Sequence, residues 1–275
     1  MKKYIPKLIG ILINTVALVS PLYAGKISIG LFSKPRKGKI KPNQTTFLAT
    51  SVKHTLQHEH FKIRVYEWPG TKATILLAHG WESNAFRWKD LAELLIQNNY
   101  NIIALDAPAH GNTEHKQFNA VLYAECIQLV AKTFKPNIVI GHSVGGMALA
   151  FALSKYKLNT IDKLVLLGAP NAFSTILASY EKLMGYSKRT QLGNRRYIQQ
   201  KFNFTPEEFS TSRFVSTLNI KGLIVHDKKD KVIPYSDGTD IAKQFTNAKF
   251  ISTKGYGHGL KSDEVHKHIL NFLNA

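Results

Sequence analysis

Short apolar runs alternate with longer amphipathic segments along most of this chain, beginning near residue 61. Residues 61–68 alternate between apolar and polar side chains, which is typical of a half-exposed β-strand. The later apolar runs are short, rich in β-branched side chains and bounded by turn residues, as buried parallel strands are. The predicted strands cover residues 61–68, 73–78, 101–105, 137–140, 163–167, 220–225 and 249–252.

Amphipathic helices are predicted between these strands, from apolar side chains at helical spacing. The predicted helical segments cover residues 91–96, 120–134, 147–156, 235–245 and 263–273. Because strands and helices alternate, the pattern predicts an α/β fold with a mostly parallel central sheet and helices on both faces.

Residues 171–219 interrupt this alternation, since they contain many aromatic and basic side chains but no strand pattern. We expect them to form a small helical cap inserted into a main domain of residues 46–275, which follows an N-terminal extension of residues 1–45. The cap aromatics either line an apolar acyl pocket or form the cap's own small core. They are Phe173, Tyr180, Tyr186, Tyr197, Phe202, Phe204, Phe209 and Phe214.

The N-terminal extension begins with basic residues 1–7, followed by the almost wholly apolar residues 8–19. A secretory signal peptide is one interpretation, but Leu22 occupies a site where cleavage prefers a small residue. A second interpretation is a membrane-spanning helix, but such a helix needs about 20 apolar residues, more than the run at residues 8–19 provides. The other interpretations are a helix lying on a bilayer, followed by the basic stretch 34–41, and a helix packed on the protein's own surface. Membrane association is favoured, so a membrane-associated or cytoplasmic location is expected ahead of secretion.

The chain is strongly basic, with a formal net charge of +19 over 275 residues. The basic residues are spread along the chain and no nucleic-acid-binding module is present, which weighs against nucleic acid as a partner. A generally basic surface that keeps the protein soluble is the first explanation, and attraction to an anionic membrane is the second. The single cysteine, Cys126, excludes an internal disulfide, and its helical context predicts a buried structural thiol.

The most informative motif is Gly141-His142-Ser143-Val144-Gly145-Gly146, between the strand at 137–140 and the helix at 147–156. A strand, a tight Gly-x-Ser-x-Gly turn and a helix form the arrangement called a nucleophile elbow. Such a turn holds its serine in a strained backbone conformation, and the flanking glycines let neighbouring segments approach closely. The N-terminal N–H groups of the helix would then face an anion that forms at Ser143.

Polar residues follow several of the predicted strands at their carboxyl ends, where open α/β sheets bind ligands. They are His79, Asp106, Ser143, Asp230 and His258. A serine nucleophile needs an adjacent base, usually an imidazole oriented by a carboxylate. The order serine, acid, histidine is the one expected when the serine lies on an elbow. We therefore expect His258 to act as general base and then as general acid.

Two carboxylates are candidates for the acid. Asp227 ends a predicted strand and is expected to cap the turn, whereas Asp230 lies in the following loop, from which it can reach an imidazole. Asp230 is favoured on this geometry. The oxyanion hole is expected from the backbone N–H groups of Val144, directly after the serine, and Trp81, in the loop after an earlier strand.

Other polar residues near these strand ends are expected to be structural. His79 is predicted to brace its loop through hydrogen bonds. Asp106 and His110 are predicted to pin the neighbouring loop, with lining of the pocket as their alternative role. No cluster of His, Cys, Asp and Glu has zinc-site spacing, and no glycine-rich nucleotide-binding motif is present. No metal or cofactor is expected.

From about residue 61 to the C-terminus, the chain resembles the α/β-hydrolase superfamily, in particular its monoacylglycerol-lipase-like and serine-aminopeptidase-like hydrolases. The resemblance implies a serine hydrolase that acts on carboxylic esters through a Ser-His-Asp triad and an acyl-enzyme, with Asp230 at the family's common acidic position. An acyltransferase, a peptidase, a thioesterase and a non-catalytic binding protein remain alternatives on this fold. The resemblance rests on His79-Gly80-Trp81, Asp106-Ala107-Pro108-Ala109-His110-Gly111, the serine motif, His226-Asp227-Lys228-Lys229-Asp230 with Pro234, and Gly257-His258.

Overall fold

The computed structural model of the chain describes residues 4–275, which contain one eight-stranded sheet. The strand order is β1-β2-β4-β3-β5-β6-β7-β8. β2 pairs antiparallel with β1 and with β4, and every other pair is parallel. This mostly parallel sheet confirms the predicted fold class. The strands are β1 (Val52–His58), β2 (Phe61–Trp68), β3 (Thr74–Ala78), β4 (Asn101–Leu105), β5 (Ile138–His142), β6 (Lys163–Leu167), β7 (Lys221–Asp227) and β8 (Ala248–Thr253).

The helices begin and end at local signals in the sequence. The side chain of Asn119 accepts a hydrogen bond from the N–H of Leu122, and Ser262 does the same for Val265, so each caps the helix that follows it. The helices are α1 (Ile5–Val19), α2 (Pro21–Phe32), α3 (Thr45–Ala49), α4 (Lys89–Gln97), α5 (Ala120–Phe134), α6 (Val144–Lys155), α7 (Phe173–Met184), α8 (Lys188–Phe202), α9 (Thr211–Val215), α10 (Tyr235–Gln244) and α11 (Asp263–Asn274), with short 3₁₀ helices at Pro42–Gln44 and Ala85–Trp88.

The core lies on the parallel strands. Successive side chains of β3 point to opposite faces, so Ile75 and Leu77 join a core that includes Leu95 of α4 and Ile269 of α11, while Leu76 is buried on the other face. Burial on both faces explains why the central strands are continuous apolar runs. It also holds the carboxyl ends of the strands in fixed positions.

The edge strand β1 was not predicted from the sequence. Its residues, Val-Lys-His-Thr-Leu-Gln-His, are mostly polar, and each is exposed or half-buried. β1 pairs only with β2 in the sheet. Its half-buried face carries His54, Leu56 and His58, and His54 packs on the ring of Phe134 in α5. Because histidines occupy most of this face, the sequence lacks the apolar alternation that signals a strand.

Residues 4–275 divide into two compact units. The helical unit consists of the chain up to Lys34 together with Ala172–Ser210, and contains α1, α2, α7 and α8. The sheet unit consists of Pro35–Asn171 and Thr211–Ala275. The apolar N-terminal helices therefore belong to the same unit as most of the segment expected to be a cap.

Within the helical unit, α1 and α2 lie very close to α7 and α8. A Cβ added at Gly10 would lie 1.7 Å from the carbonyl oxygen of Met184, and one at Gly25 would lie 2.2 Å from that of Gly193. The side chain of Asn14 donates to the carbonyl of Gly185 and accepts from the N–H of Ser187 and the hydroxyl of Thr190. α1 thus packs against α7 and α8 within the helical unit, and its association with a membrane stays a prediction.

The aromatic side chains of α7 and α8 largely serve the core of the helical unit. Phe173, Tyr180, Tyr197 and Phe202 pack around Ile29, Leu177 and Ile198, and Tyr186 is buried in a second cluster with Ile13, Ala17 and Met184. Phe214 lies outside this unit and packs on Phe151. These contacts favour the interpretation of the aromatics as a small core. The role of the segment as a substrate-selecting cap stays a prediction.

Candidate active site

Ser143 lies on a sharp turn between β5 and α6. Its φ is 54° and its ψ is −131°, a conformation that L-residues rarely adopt. The turn is possible because of glycines: a Cβ added at Gly141 would lie 2.5 Å from the Cα of Gly146, and one at Gly145 would lie 2.3 Å from the carbonyl oxygen of Ala78. The strained serine and the close approaches are those that the sequence motif predicted.

Asp230 and His258 are in direct contact. Nδ1 of His258 lies 2.8 Å from Oδ2 of Asp230, whose side chain is fully buried. The other carboxylate oxygen accepts hydrogen bonds from the N–H groups of Val232 and Ile233. Burial alone would raise the pKa of Asp230, but the hydrogen bonds from two histidines and two backbone N–H groups outweigh it and hold the pKa well below its ordinary value. The carboxylate therefore stays ionised.

Asp227, the other candidate acid, is committed to the turn that follows β7. It accepts hydrogen bonds from the hydroxyl of Thr253 and from the N–H groups of Lys229, Gly255 and Tyr256. These hydrogen bonds outweigh the effect of burial and lower its pKa. Its carboxylate braces the loop, while Asp230 faces the histidine.

His258 is fixed beside the serine turn through its backbone. Nε2 of His142 lies 2.8 Å from the carbonyl oxygen of His258, and the two rings are 4.8 Å apart. Burial lowers the pKa of His142 well below its ordinary value, so its ring is neutral and Nε2–H is the donor. The guanidinium of Arg87 donates to the next carbonyl, that of Gly259, at 2.7 Å. Because His142 directly precedes Ser143, these bonds hold the histidine loop next to the elbow.

Sequence reasoning missed a second histidine at Asp230. The fully buried His226 places Nε2 3.5 Å from Oδ2 of Asp230 and 3.2 Å from the carbonyl oxygen of Ile233. A Cβ on Gly238 would lie 2.6 Å from the His226 ring, so the ring has little room to move. The available signal was the spacing of His226 and Asp230, four residues apart at the end of a strand. Without a known fold, this spacing does not show that the His226 side chain points toward Asp230.

The two backbone groups expected to form an oxyanion hole belong to segments that directly adjoin Ser143. Val144 is the first residue of α6, where backbone N–H groups have no intrahelical partner. Trp81 follows Gly80, and a Cβ added at Gly80 would lie 2.9 Å from the Cβ of Ser143. The contact of Gly145 with Ala78 brings the start of α6 against the end of β3. The role of these N–H groups stays a prediction.

His79, Asp106 and His110 brace the neighbouring loops, as expected from the sequence. Nε2 of His79 accepts from the N–H of Ala107 and Nδ1–H donates to the carbonyl of Gly80. Asp106 accepts hydrogen bonds from the hydroxyl of Tyr66 and from backbone N–H groups, and burial raises its pKa to about 6. His110 accepts from the N–H of Glu82, which ties the two loops together.

Buried histidines should make folding stability depend on pH. Burial lowers the pKa of His79 to about 3 and that of His110 to about 4, and it lowers the pKa of His142 as well. The unfolded chain takes up these protons near pH 6.5, whereas the folded chain does not, so stability present above pH 6.5 is lost as the pH falls. Burial also lowers the pKa of His266. Asp106, between about pH 6 and pH 4, and Asp237, whose pKa burial also raises, act in the opposite direction, but as two groups against four histidines. The net effect is acid destabilisation.

We expect the Tm to fall between pH 7 and pH 5, with each histidine contributing up to about 1.4 kcal/mol per pH unit. Thermal unfolding followed by circular dichroism at pH 7, 6 and 5 measures this. His60→Gln is the matched control, because the His60 side chain is 89% exposed. The control should reproduce the wild-type slope. A Tm that is constant or rises toward pH 5 would contradict the assignment of the buried histidines as neutral.

Residues 4–275 contain no group of three or more His, Cys, Asp or Glu side chains arranged to hold a metal ion. Cys126 is buried in α5, as predicted, and burial raises the pKa of its thiol.

The strained serine, the paired acid and histidine, and the mostly parallel sheet together define an α/β-hydrolase architecture. Residues 75–258 match the alpha/beta hydrolase family. The match covers more than half of the chain, and the chain belongs to this family.

The individual proteins that resemble this chain have low sequence identity to it. A Mycoplasma pneumoniae protein, whose name places it among the esterases and lipases, is 31% identical over 135 residues, which cover 48% of this chain and 49% of the relative. The chain thus spans about half the length of that relative. An esterase from Exiguobacterium antarcticum superposes with a TM-score of 0.64 at 16% identity, covering 82% of this chain and 100% of its own. A bacterial membrane phospholipase A superposes with a TM-score of 0.65 at 16% identity, covering 100% and 98%. These two similarities show a shared fold.

Proposed function

We propose that this protein is a serine hydrolase that cleaves carboxylic esters through an acyl-enzyme intermediate. The observation that carries the proposal is the 2.8 Å contact between Asp230 and His258, on the same edge of the sheet as the strained Ser143. A serine on a strained turn, then an acid, then a histidine along the chain are the requirements of a hydrolytic triad on an elbow. The relative named among esterases and lipases supports an ester as substrate.

In the proposed mechanism, Oγ of Ser143 attacks the ester carbonyl carbon while Nε2 of His258 accepts the hydroxyl proton. The negative charge on the tetrahedral carbonyl oxygen is stabilised by the N–H groups of Trp81 and Val144. His258 then returns the proton to the leaving alcohol, which leaves the acyl group on Ser143. A water molecule, deprotonated by His258, releases the acid by the same steps in reverse.

The electrostatics of the site favour this proton transfer. Since hydrogen bonds keep the pKa of Asp230 low, its carboxylate is ionised and can stabilise the imidazolium that forms on His258. His142, whose ring is 4.8 Å from that of His258, is neutral and adds no repulsion to the developing positive charge. The Nδ1–H of His258 points to Asp230, which leaves Nε2 for the serine proton.

Labelling with a fluorophosphonate probe tests the proposal. We expect one covalent adduct on Ser143, located by peptide mass spectrometry, and none on the Ser143→Ala variant. Ser154→Ala is a matched control, because Ser154 lies on α6 outside the turn, and this variant should label fully. A folded protein that does not label would contradict the hydrolase proposal and favour a non-catalytic ligand-binding homologue.

A panel of p-nitrophenyl esters of graded chain length would then define the acyl group. Adding an alcohol acceptor separates hydrolysis from acyl transfer, and thioester and peptide substrates separate the remaining alternatives.

We propose that a cap formed within residues 171–219 selects the acyl chain, in a main domain of residues 46–275. The proposed partners are a small-molecule ester or acyl substrate and a membrane surface bound through the N-terminal 45 residues.

A further inference from the structure

Most of the exposed apolar side chains of this protein lie on the helical unit. Of the fifteen large apolar side chains that are exposed in residues 4–275, twelve belong to this unit, which has little more than a quarter of the chain. Soluble proteins rarely expose large contiguous apolar patches, and such patches mark interaction sites. The surface of the helical unit therefore has the composition of a docking surface.

The apolar side chains are concentrated on one face of α1. At 3.6 residues per turn they follow one side of the helix, with Thr15 as the one polar residue among them. Leu8 is 60% exposed, Leu12 68% and Val19 91%. Two exposed side chains at the start of α2, Leu22 and Tyr23, follow directly. We call the exposed apolar side chains of α1 the outer α1 face. They are Ile5, Leu8, Ile11, Leu12, Leu18 and Val19.

The opposite face of α1 is already committed to the protein. Gly10, Ile13 and Ala17 are buried, and Asn14 is hydrogen-bonded to the segment between α7 and α8. None of the helices within residues 4–275 has the length and hydropathy that crossing a bilayer requires. α1 has 15 residues, or about 22 Å at 1.5 Å per residue, against a hydrocarbon core of about 30 Å. A helix held on one side and apolar on the other is suited to lie along an interface.

The charge of this region matches an anionic surface. The first acidic residue of the chain is Glu59, and ten lysines and arginines precede it. Lys7 and Lys26 are exposed on α1 and α2, next in sequence to exposed apolar side chains. The two segments of the helical unit contain eleven basic and three acidic residues. Two copies meeting at this face would bring like charges together, whereas anionic lipid head groups neutralise them.

We propose that the outer α1 face docks this protein on an anionic lipid bilayer, with α1 lying in the plane of the interface. The apolar side chains enter the boundary between head groups and acyl chains, while Lys7 and Lys26 bind the head groups. This inference builds on the membrane partner proposed above and names its face and lipid chemistry. It is independent of the ester chemistry at Ser143.

Vesicle sedimentation tests the docking face. The full chain with Ser143→Ala, which cannot hydrolyse lipid, is mixed with vesicles of phosphatidylcholine alone or with added phosphatidylglycerol. We expect binding that requires phosphatidylglycerol and weakens with added salt. Leu8→Gln with Leu12→Gln should lower the partition coefficient at least about tenfold. Lys7→Gln and Lys26→Gln should each lower it about fivefold on the anionic vesicles.

Two controls match these substitutions. Val52→Gln removes an exposed apolar side chain from β1, and Lys53→Gln removes the neighbouring exposed lysine, both in the sheet unit. Both variants should bind as the parent does. Circular dichroism and hydrolysis of a water-soluble ester, measured on versions that keep Ser143, confirm that each variant is folded. Point variants are preferred to deletion of residues 1–45, because α1 contributes to the core of the helical unit.

Several outcomes would overturn the proposal. Failure of the parent protein to bind anionic vesicles at low salt defeats both the membrane partner and the docking face. Unchanged binding by the Leu8→Gln, Leu12→Gln variant defeats the face alone. Light scattering that shows a dimer in the parent and a monomer in this variant would assign the face to a second copy instead. Vesicle binding without fluorophosphonate labelling would leave docking supported and the hydrolase proposal rejected.

Discussion

Ser143→Ala is expected to lower kcat/KM for a soluble ester by at least about 10⁴-fold. The substitution removes the oxygen proposed to form the acyl-enzyme, while the N–H groups of Val144 and Trp81, which are proposed to bind the carbonyl oxygen, stay in place. Because Ser143 caps α6 without a side-chain hydrogen bond, the loss should not come from unfolding. Substrate affinity should change little, so the effect should appear in kcat.

The measurement is steady-state hydrolysis of a p-nitrophenyl ester, with the unfolding transition recorded on the same samples. The Ser154→Ala variant provides the matched control and should keep the wild-type rate. Activity of Ser143→Ala within tenfold of wild type, in a folded protein, would show that the nucleophile is another residue or a water molecule.

Asp230→Asn is expected to lower kcat by about 10⁴-fold. An asparagine keeps the shape of the side chain but removes the negative charge that stabilises the imidazolium of His258. Its amide can also donate to Nδ1 of His258, which would favour the tautomer that carries its proton on Nε2. That tautomer cannot accept the proton of Ser143. The loss should therefore be chemical, with fluorophosphonate labelling slowed in parallel.

Two further variants make this prediction specific to Asp230. Asp240→Asn changes an exposed carboxylate that pairs with Lys243 and should leave the rate unchanged. Asp227→Asn weakens the turn that holds Thr253 and Tyr256. It should therefore lower the Tm, while kcat changes little. If Asp227→Asn instead caused the larger loss of kcat without a change in Tm, the acid would be Asp227.

The parallel part of the fold could be predicted because burial on both faces leaves a plain sequence signal. The runs that become β3 through β7 are apolar at nearly every position, and turn residues follow them. Strand β1 and helix α2 lack such a signal. The side chains of β1 are mostly polar. In α2, exposed apolar residues alternate with Ala24, Gly25 and Ser28, which are small and are buried because neighbouring helices pack on them.

The candidate site was predictable where its chemistry depends on residue type and chain order. Residue type and chain order predict Ser143, Asp230 and His258, and Asp230 lies in contact with His258. The supporting contacts of His142, His226 and Arg87 could not be predicted. His142 and Arg87 bond to carbonyls more than 100 residues later in the sequence, whereas the direction of the His226 side chain depends on the turn after β7 that brings Asp230 back to it. His142 and His258, for example, are 116 residues apart.

The packing of α1 also could not be predicted from the sequence. An apolar segment after basic residues has the same pattern in a signal peptide, an interfacial helix and a packed helix. The structure distinguishes the two faces of α1 through small details, such as Gly10 against Met184 and the hydrogen bonds of Asn14. These details depend on α7 and α8, more than 150 residues later in the chain.

The backbone of Ser143 has a consequence for evolution as well as for chemistry. A non-glycine residue at φ 54° and ψ −131° costs about 1–3 kcal/mol, and that cost lowers the stability of the whole fold. Glycine would relieve it, and the side chain of Ser143 forms no capping bond that glycine would lose. If Ser143 is the nucleophile, as proposed, a lineage that no longer needed it would gain stability by replacing it. Serine at this position is therefore a residue that selection for stability alone would tend to remove.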